Sequence, residues 1–247
     1  MLNFAIMLLA IDCGNTQTKA ALISNQGDLL WRYVLDAEEG LEDILAVCPS
    51  TPEVILGAAS GAQPHWEGVQ WLDAEASWPF DVMYEDSIGL DRLLAVAGAS
   101  ISHPGKDLLV VTMGTCITFN ALHQNQFLGG IIAPGLMMRI QSMSHYTEHL
   151  PDLSSKVAHA MEHWEDCTQT QTTQESMLRG AIAGIHDQLK GEIEAWKARL
   201  NDPQIIFTGG DGTAFANHLK SGIFAASDLE LKGLWAHWNY ASNSTTT

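Results

Sequence analysis

The chain of 247 residues has few basic residues: 12 Lys and Arg stand against 29 Asp and Glu, which gives a formal net charge of −17. A surface of this sign repels nucleic acids and anionic membranes, so we expect neither as a partner. The acidity does not exclude a small anionic ligand. Backbone N–H groups, one well-placed cation and Mg²⁺ can each hold a phosphate on an acidic protein.

Cysteines and long apolar runs are also scarce. The cysteines are scattered without a C-x-x-C spacing, at Cys13, Cys48, Cys116 and Cys167. This argues against a zinc site and a disulfide framework and favours a reducing, cytoplasmic compartment. No run approaches the ~20 apolar residues of a membrane span. The apolar residues near the N-terminus lack the flanking basic residues and cleavage site of a signal peptide, so we expect a buried strand there.

One pattern of strands and turns occurs twice in the chain. Residues 5–35 are predicted to form three short strands, with an Asp-x-Gly turn after the first. Residues 108–133 repeat strand, Gly-Thr turn, strand and strand. The His-Pro-Gly-Lys-Asp segment at 103–107 separates the halves. We therefore predict two α/β lobes, residues 1–104 and 105–247, with a nucleotide cleft between them.

Apolar periodicity and run length predict the remaining elements. Helices are expected at residues 38–47, 89–99, 136–149, 173–199 and 211–220, with a helix or strand–helix at 229–241. Further buried strands are expected at 53–59 and 205–210. Residues 61–80, rich in Gly, Pro and Trp, are expected to form a loop region.

The segment Asp-Cys-Gly-Asn-Thr-Gln-Thr-Lys at residues 12–19 predicts a phosphate-binding turn. Gly14 allows the backbone to turn tightly and to approach a phosphate closely, and the Asn and Thr that follow offer hydrogen-bond donors. Asp12, at a strand end, can hold Mg²⁺, which prefers hard oxygen ligands, and Lys19 adds a cation. An ordinary β-hairpin is the alternative, but it explains only the glycine.

Two further glycine turns follow buried strands. Gly114 and Thr115, flanked by Thr112 and Thr118, predict a second phosphate loop. The Thr-Gly-Gly segment at 208–210 would let a flat base or ribose lie against the backbone. Each turn alone is also compatible with an unremarkable loop, but the three motifs in this order are much less likely to occur by chance than any one of them.

These motifs resemble the type III pantothenate kinases, a branch of the acetate-and-sugar-kinase, heat-shock-chaperone and actin superfamily. The resemblance is carried by DCGNTQTK at 12–19, Tyr84 with GLDR at 89–92, GTCIT at 114–118, GG at 129–130 with APG at 133–135, Thr173, and TGG at 208–210. It implies two ribonuclease-H-like lobes. It also implies transfer of a phosphoryl group from ATP to pantothenate, which gives 4′-phosphopantothenate in the first step of coenzyme A synthesis.

By position, the resemblance implies a role for each motif. Asp91 would be the general base on the primary hydroxyl of pantothenate, and Asp12 would hold Mg²⁺. The residues that contact ATP would be Asp12, Cys13, Gly14, Asn15, Thr16, Gln17, Thr18, Lys19 and Thr115. The residues that contact pantothenate would be Tyr84, Gly89, Leu90, Asp91, Arg92 and Thr173. Members of the family are homodimers in which the partner subunit helps close the pantothenate pocket, so the resemblance also implies a homodimer.

The chemistry of Asp91 and Arg92 agrees with these roles. A carboxylate can accept the hydroxyl proton as the phosphoryl bond forms, and a guanidinium can fork onto the pantothenate carboxylate. Since consecutive helical residues point ~100° apart, both must lie in a first helical turn to face one site, and Gly89 just before them fits that position. A surface ion pair at a helix start is the alternative.

Two positions depart from the family pattern. Thr112 stands where the family usually has an Asp that helps hold an activating K⁺ or NH₄⁺. Its hydroxyl is neutral, so either other oxygens hold the cation or the enzyme needs it less. Asn120 stands where Asp is common, and the sequence assigns it no role.

Two other functions remain compatible with the fold. One is a kinase of the same fold that acts on another hydroxyl acceptor, such as an amino sugar, although the Cys/His cluster typical of those kinases is missing. The other is a non-catalytic actin-like regulatory module. The histidine pairs spaced four apart, at 145/149 and 159/163, are interpreted as surface or interface residues rather than as a zinc site.

Overall fold

The structure is a computed structural model that describes residues 7–73, 75–84, 87–163, 169–200, 202–219 and 222–244. Cys167 lies outside the described residues. The strands are β1 Met7–Cys13, β2 Thr18–Ser24, β3 Leu29–Val34, β4 Val54–Ala59, β5 Gln70–Trp71, β6 Asp81–Val82, β7 Leu108–Met113, β8 Cys116–His123, β9 Gln126–Pro134, β10 Gln204–Thr208 and β11 Ile223–Ala225. The helices are α1 Leu41–Val47, α2 Leu90–Ser102, α3 Leu136–His145, α4 Val157–His163, α5 Thr173–Arg199, α6 Gly212–Leu219 and α7 Leu229–Ser244.

The chain divides into two compact units. The first contains residues 1–108, 120–129 and 228–247, and the second contains 109–119 and 130–227. The division passes through β7 after Leu108, through β8 and through β9, so each of these strands contributes residues to both units. Residues 228–247, which the sequence placed in the second of two lobes, cluster with the first unit in the structure.

The five-stranded sheet of the first unit has the order β3-β2-β1-β4-β5. Strand β1 pairs antiparallel with β2 and parallel with β4. Both β1 and β2 are almost continuous apolar runs, and their central residues are fully buried, because helices cover a sheet of this kind. The register places Asp12 opposite Lys19 at the end of the hairpin.

A six-stranded sheet has the order β11-β10-β7-β8-β9-β6. If β7 to β11 are numbered 1 to 5 in chain order, they repeat the 3-2-1-4-5 order of the other sheet. The recurring sequence pattern predicted the repeated run of three strands but not this order. Strand β6 pairs with β9 at Gln126 and Phe127, in the part of β9 that belongs to the first unit. The ribonuclease-H-like fold class expected from the sequence is thus confirmed in its strand order.

Helix α7 packs against α2 and β1 within the first unit through two glycines. A Cβ at Gly98 would lie 2.0 Å from the carbonyl oxygen of Leu229, and one at Gly233 would lie 2.1 Å from that of Leu94. Only glycine allows the two helix backbones to approach this closely. This close packing is the physical reason why the C-terminal helix belongs with the first unit.

Most predicted elements are present, with some shifted ends. Helix α5 has the predicted bounds, and its start is fixed by a capping box between Thr172 and Glu175. Helix α3 ends at His145, four residues before the predicted end. The sequence analysis missed α4 and the 3₁₀ turn at Ser154–Lys156, which are too short to show a clear period. Within the described residues, no helix has the length and apolar character needed to cross a membrane.

Candidate active site

The turn between β1 and β2 is the predicted first phosphate loop. The Gly14 N–H donates a hydrogen bond to the Gln17 carbonyl oxygen at 3.1 Å, and a Cβ at Gly14 would lie 3.1 Å from the same oxygen. Asn15, Thr16 and Gln17 are exposed on the turn, and Thr18 and Lys19 are half-buried at the start of β2. The turn therefore presents polar groups to solvent at the end of a rigid hairpin.

Cys13 differs from its neighbours in this loop. It is buried in the apolar cluster that includes Leu9 and Ile11. Burial raises the pKa of the Cys13 thiol, more than its hydrogen bond with Thr18 lowers it. Any contact of Cys13 with a ligand is therefore left to its backbone.

Asp12 is a buried carboxylate, only 8% exposed, at the end of β1. Its pKa is raised to about 7, mainly by desolvation, then by the nearby Glu230 and Asp91, while Lys19 acts in the opposite direction. A divalent cation would supply a compensating positive charge for the ionised carboxylate. The carboxylate oxygens of Asp12 are suitable ligands for Mg²⁺. Asp12 therefore fits the role of a Mg²⁺ ligand.

Glu230 is a candidate site residue, a carboxylate near Asp12, that was not identified from the sequence. It lies in the first turn of α7, and burial raises the pKa of its carboxyl group, with Asp91 and Asp228 adding to the effect and Lys19 opposing it. Asp12 and Glu230 are at opposite ends of the sequence, and only the packing of α7 on β1 brings them together. No local motif marks such a pair.

The segment at residues 89–92, which the sequence predicts to contact the acceptor, lies at the start of helix α2. Gly89 is the N-cap, and Asp91 and Arg92 lie in the first turn, as their proposed roles require. Asp91 is half-buried, and a Cβ at Gly89 would lie 2.5 Å from its Oδ1 atom. The carboxylate thus lies over the N-cap, in a position that a larger residue at 89 would occupy.

Arg92 is a buried cation, 4% exposed. Its Nε donates a hydrogen bond to Oδ1 of the buried Asn120 at 2.7 Å. The guanidinium carbon lies 5.6 Å from the ring centroid of Tyr84 and 5.8 Å from that of Phe127, within the range of cation–π interaction. Among the described residues, Nη2 has no hydrogen-bond partner although it is buried.

Tyr84 reaches Arg92 because Gly129 leaves room for its ring. Gly129 has a φ of 82°, and a Cβ there would lie 2.7 Å from Cε2 of Tyr84. The Tyr84 side chain is 39% exposed. It therefore covers the guanidinium on one side and contacts solvent on the other.

The second and third glycine loops lie side by side in the second unit. The Gly135 N–H donates to the Thr115 carbonyl oxygen at 3.0 Å, and a Cβ at Gly135 would lie 2.0 Å from the oxygen of Gly114. Gly209 has a φ of 89°, and a Cβ there would lie 2.3 Å from the oxygen of Met113. These glycines let three backbone segments meet around the Gly-Thr turn.

Thr112 and Thr173 are the remaining predicted site residues. The Thr112 and Thr118 hydroxyls form a hydrogen bond of 2.5 Å between their Oγ1 atoms. Position 112 thus offers a neutral hydroxyl that is already engaged, and no carboxylate for a monovalent cation. Thr173 is the first residue of α5 and is exposed in the second unit.

Comparisons with known proteins identify the family. The model of the type III pantothenate kinase family matches residues 44–195. The type III pantothenate kinase of Christiangramia forsetii is 34% identical over 240 residues, which cover 92% of this chain and 96% of the relative. The chain belongs to the type III pantothenate kinase family.

Two solved structures show the same fold at low identity. The activator of the 2-hydroxyisocaproyl-CoA dehydratase from Clostridium difficile with bound ADPNP has a TM-score of 0.55 and 12% identity, and the match covers 97% of this chain and 96% of that one. A ROK family glucokinase from Streptomyces griseus in complex with glucose and AMPPNP has a TM-score of 0.53 and 13% identity, over 96% and 99% of the two chains.

One histidine pair gains a third group that the sequence analysis did not identify. His159, Glu162 and His163 hold their ligand atoms within 4.8 Å of one another on α4. All three residues are exposed, as expected for surface histidines.

Proposed function

We propose that this protein phosphorylates pantothenate with ATP to give 4′-phosphopantothenate and ADP. The observation that carries the proposal is the first turn of α2, where a half-buried carboxylate, Asp91, is followed by a buried guanidinium, Arg92, with an unpartnered Nη2 among the described residues. A base for an alcohol and a receptor for a carboxylate are the two groups that pantothenate requires. Their occurrence on a chain of the pantothenate kinase family supports this acceptor.

ATP is proposed to contact the turn at residues 12–19 and the Gly-Thr turn at Thr115. Backbone N–H groups at tight glycine turns are suitable phosphate donors, and two solved structures of the same fold hold ADPNP and AMPPNP. Asp12 would hold Mg²⁺, which neutralises charge on the phosphates when bound. Lys19, opposite Asp12 in the hairpin, would add a second positive charge for the phosphates.

Asp91 and Arg92 would divide the work on the acceptor. Asp91 would take the proton of the primary hydroxyl as the hydroxyl oxygen attacks the γ-phosphorus of ATP and ADP leaves. Arg92 would hold the pantothenate carboxylate by charge-assisted hydrogen bonds. Tyr84, Gly89, Leu90 and Thr173 are proposed as further contacts to the acceptor. Because Asp91 and Arg92 are consecutive, the two ends of pantothenate would be fixed by one helical turn.

Thr112 and its neighbour Thr118 do not provide a carboxylate that could hold a monovalent cation. Thr112 and Thr118 satisfy each other, and neither carries a charge. We therefore assign no step to K⁺ or NH₄⁺ and propose that this kinase depends on them less than the family pattern implies. A homodimer and a cytoplasmic location stay predictions from the family resemblance and the cysteine pattern.

A coupled assay for ADP tests the proposed function. Purified protein with ATP and Mg²⁺ is offered pantothenate, an amino sugar or no acceptor, in parallel reactions with Na⁺, K⁺ and NH₄⁺. ADP release that requires pantothenate, and that is not increased by the amino sugar, supports the proposal. An enzyme that ignores pantothenate in every cation would overturn it, and turnover of the amino sugar would replace it.

A further inference from the structure

The surroundings of Arg92 single out Asn120, a residue that the sequence left without a role. Asn120 is fully buried in β8, and its Oδ1 accepts the Arg92 Nε–H at 2.7 Å. An arginine presents its donors in a fixed plane. A bond at Nε therefore fixes the direction in which the opposite edge of the guanidinium, with the Nη atoms, can point.

The charge on Arg92 is left uncompensated by this arrangement. An amide oxygen accepts a hydrogen bond but adds no negative charge, and among the described residues no carboxylate forms an ion pair with Arg92. A buried charge and a buried donor without partners are costly. The unpartnered Nη2 shows which edge of the guanidinium would gain from an anion.

The flanking rings restrict where that anion can come from. Tyr84 and Phe127 lie within cation–π distance of the guanidinium, and the Tyr84 ring rests on Gly129. The centroids of the two rings lie 6.4 Å apart, so both rings are on the same side of the guanidinium, and Asn120 occupies the Nε side. An in-plane approach to Nη2 is the one that charge-assisted pairing with a carboxylate needs.

We propose that Asn120 is a positioning residue, which holds Arg92 at Nε so that Nη2 faces the carboxylate of the acceptor. Because its amide is neutral, Asn120 leaves the positive charge of Arg92 available to that carboxylate. This inference rests on the proposed function, because it takes pantothenate as the acceptor. It assigns selectivity for a carboxylate over a neutral acceptor to a residue that does not itself touch the substrate.

The test compares pantothenate with pantothenyl alcohol, in which a hydroxymethyl group replaces the carboxylate. In Asn120→Ala the KM for pantothenate should rise about tenfold to a hundredfold, since a hydrogen bond to a charged group is lost. The KM for ATP and for the alcohol should change little. The preference of the enzyme for pantothenate over the alcohol should fall by the same factor as the rise in KM.

A double-mutant cycle with Arg92→Met shows whether Asn120 acts through Arg92. If it does, Asn120→Ala has no further effect on the KM for pantothenate once Arg92 is replaced. Additive effects of the two substitutions would overturn the proposal. So would an equal rise in the KM for ATP and pantothenate, or an unchanged KM for pantothenate in folded Asn120→Ala.

Asn120→Asp carries the test if Asn120→Ala does not fold. It keeps the acceptor for Nε but compensates the charge of Arg92, so the preference for pantothenate over the alcohol should fall while the KM for the alcohol stays unchanged. An unchanged preference would overturn the proposal. Ser24→Ala, which removes a buried hydrogen-bonding side chain from the turn after β2, is the control for general loss of stability.

The wild-type rate with pantothenate separates the two claims. A wild-type enzyme that does not phosphorylate pantothenate refutes the proposed function, and the positioning role of Asn120 then has no pantothenate carboxylate to act on. An active wild-type enzyme whose selectivity is unaffected at position 120 refutes the positioning role alone.

Discussion

At the scale of single residues, Asp12 is expected to destabilise the protein in the absence of a cation. Its folded pKa of about 7 lies above the ordinary value of 3.8, so between these values the folded state binds more protons than the unfolded state. Stability therefore falls as the pH rises through this window and stays low above it. The shift corresponds to an upper limit of about 4 kcal/mol, because three pKa units count 1.36 kcal/mol each.

We predict that Asp12→Asn raises the free energy of unfolding at about pH 8 and changes it little at about pH 4. The amide is isosteric and carries no charge to desolvate, so the penalty disappears. Denaturant unfolding at both pH values measures the effect, and turnover of the same variant should be lost. A variant that is less stable than the wild type at the higher pH would contradict the assigned cause.

The same pKa predicts how the need for Mg²⁺ depends on pH. Below about pH 7 the cation must displace a proton from Asp12, so the half-saturating Mg²⁺ concentration should rise about tenfold per pH unit as the pH falls. Initial rates at saturating pantothenate, with Mg²⁺ varied at several pH values, provide the measurement. A half-saturating concentration that does not depend on pH would exclude Asp12 as the ligand.

Thr112 yields a prediction about monovalent cations. The wild-type rate should differ by less than about threefold between Na⁺ and K⁺, because neither Thr112 nor Thr118 supplies a charge. Thr112→Asp restores a carboxylate and should make the rate more dependent on K⁺. Strong activation of the wild type by K⁺ would show that other oxygens hold the cation.

At the scale of elements, the contact between α2 and α7 depends on Gly98 and Gly233. A methyl group at Gly98 would meet the Leu229 carbonyl oxygen, and backbone atoms cannot move aside cheaply. We predict that Gly98→Ala lowers the free energy of unfolding by about 2–4 kcal/mol. Because α7 carries Glu230 and α2 carries Asp91, the variant should also lose activity.

Gly191→Ala is the matched control for this prediction. Gly191 lies in the interior of α5, and a Cβ there would meet no heavy atom of the described residues within 4 Å. The substitution should raise the free energy of unfolding by about 0.5–1 kcal/mol, since alanine favours a helix over glycine. If both substitutions have the same effect, the close approach of α2 and α7 is not what makes Gly98 necessary.

Elements with local signals could be predicted from the sequence, and those set by distant packing could not. The bounds of α5 follow from its capping box and period, and the first turn of α2 follows from Gly89. The partnership of Arg92 with Asn120, and of Asp12 with Glu230, joins residues on separate elements. No spacing in the sequence encodes such pairs.

At the scale of the whole molecule, the repeated motif predicted that strand, turn, strand and strand occur once in each half, and the structure adds that the two sheets share one strand order. The assignment of residues to the units was less predictable, because the division follows spatial contacts rather than chain order. Residues 120–129 and 228–247 both join the first unit after excursions of the chain through the second. They bring Asn120 and Glu230 to the unit that contains Asp91.

We predict that the protein is a homodimer, from its family. Sedimentation equilibrium should give twice the mass of the chain at micromolar concentrations. If the partner subunit helps close the acceptor pocket, the KM for pantothenate should rise on dilution to the concentration at which the dimer dissociates. A monomer with full activity would contradict this prediction without affecting the proposed reaction.

The most direct test of the account is the product formed by the wild type and by Asp91→Asn. Mass spectrometry and ³¹P NMR should show 4′-phosphopantothenate with the wild type. The variant should form it about 10²- to 10⁴-fold more slowly, as expected for loss of a general base, while binding ATP normally in calorimetry. Asp187→Asn, an exposed change on α5, should keep the wild-type rate. A product phosphorylated elsewhere, or an Asp91→Asn enzyme as fast as the wild type, would contradict the account.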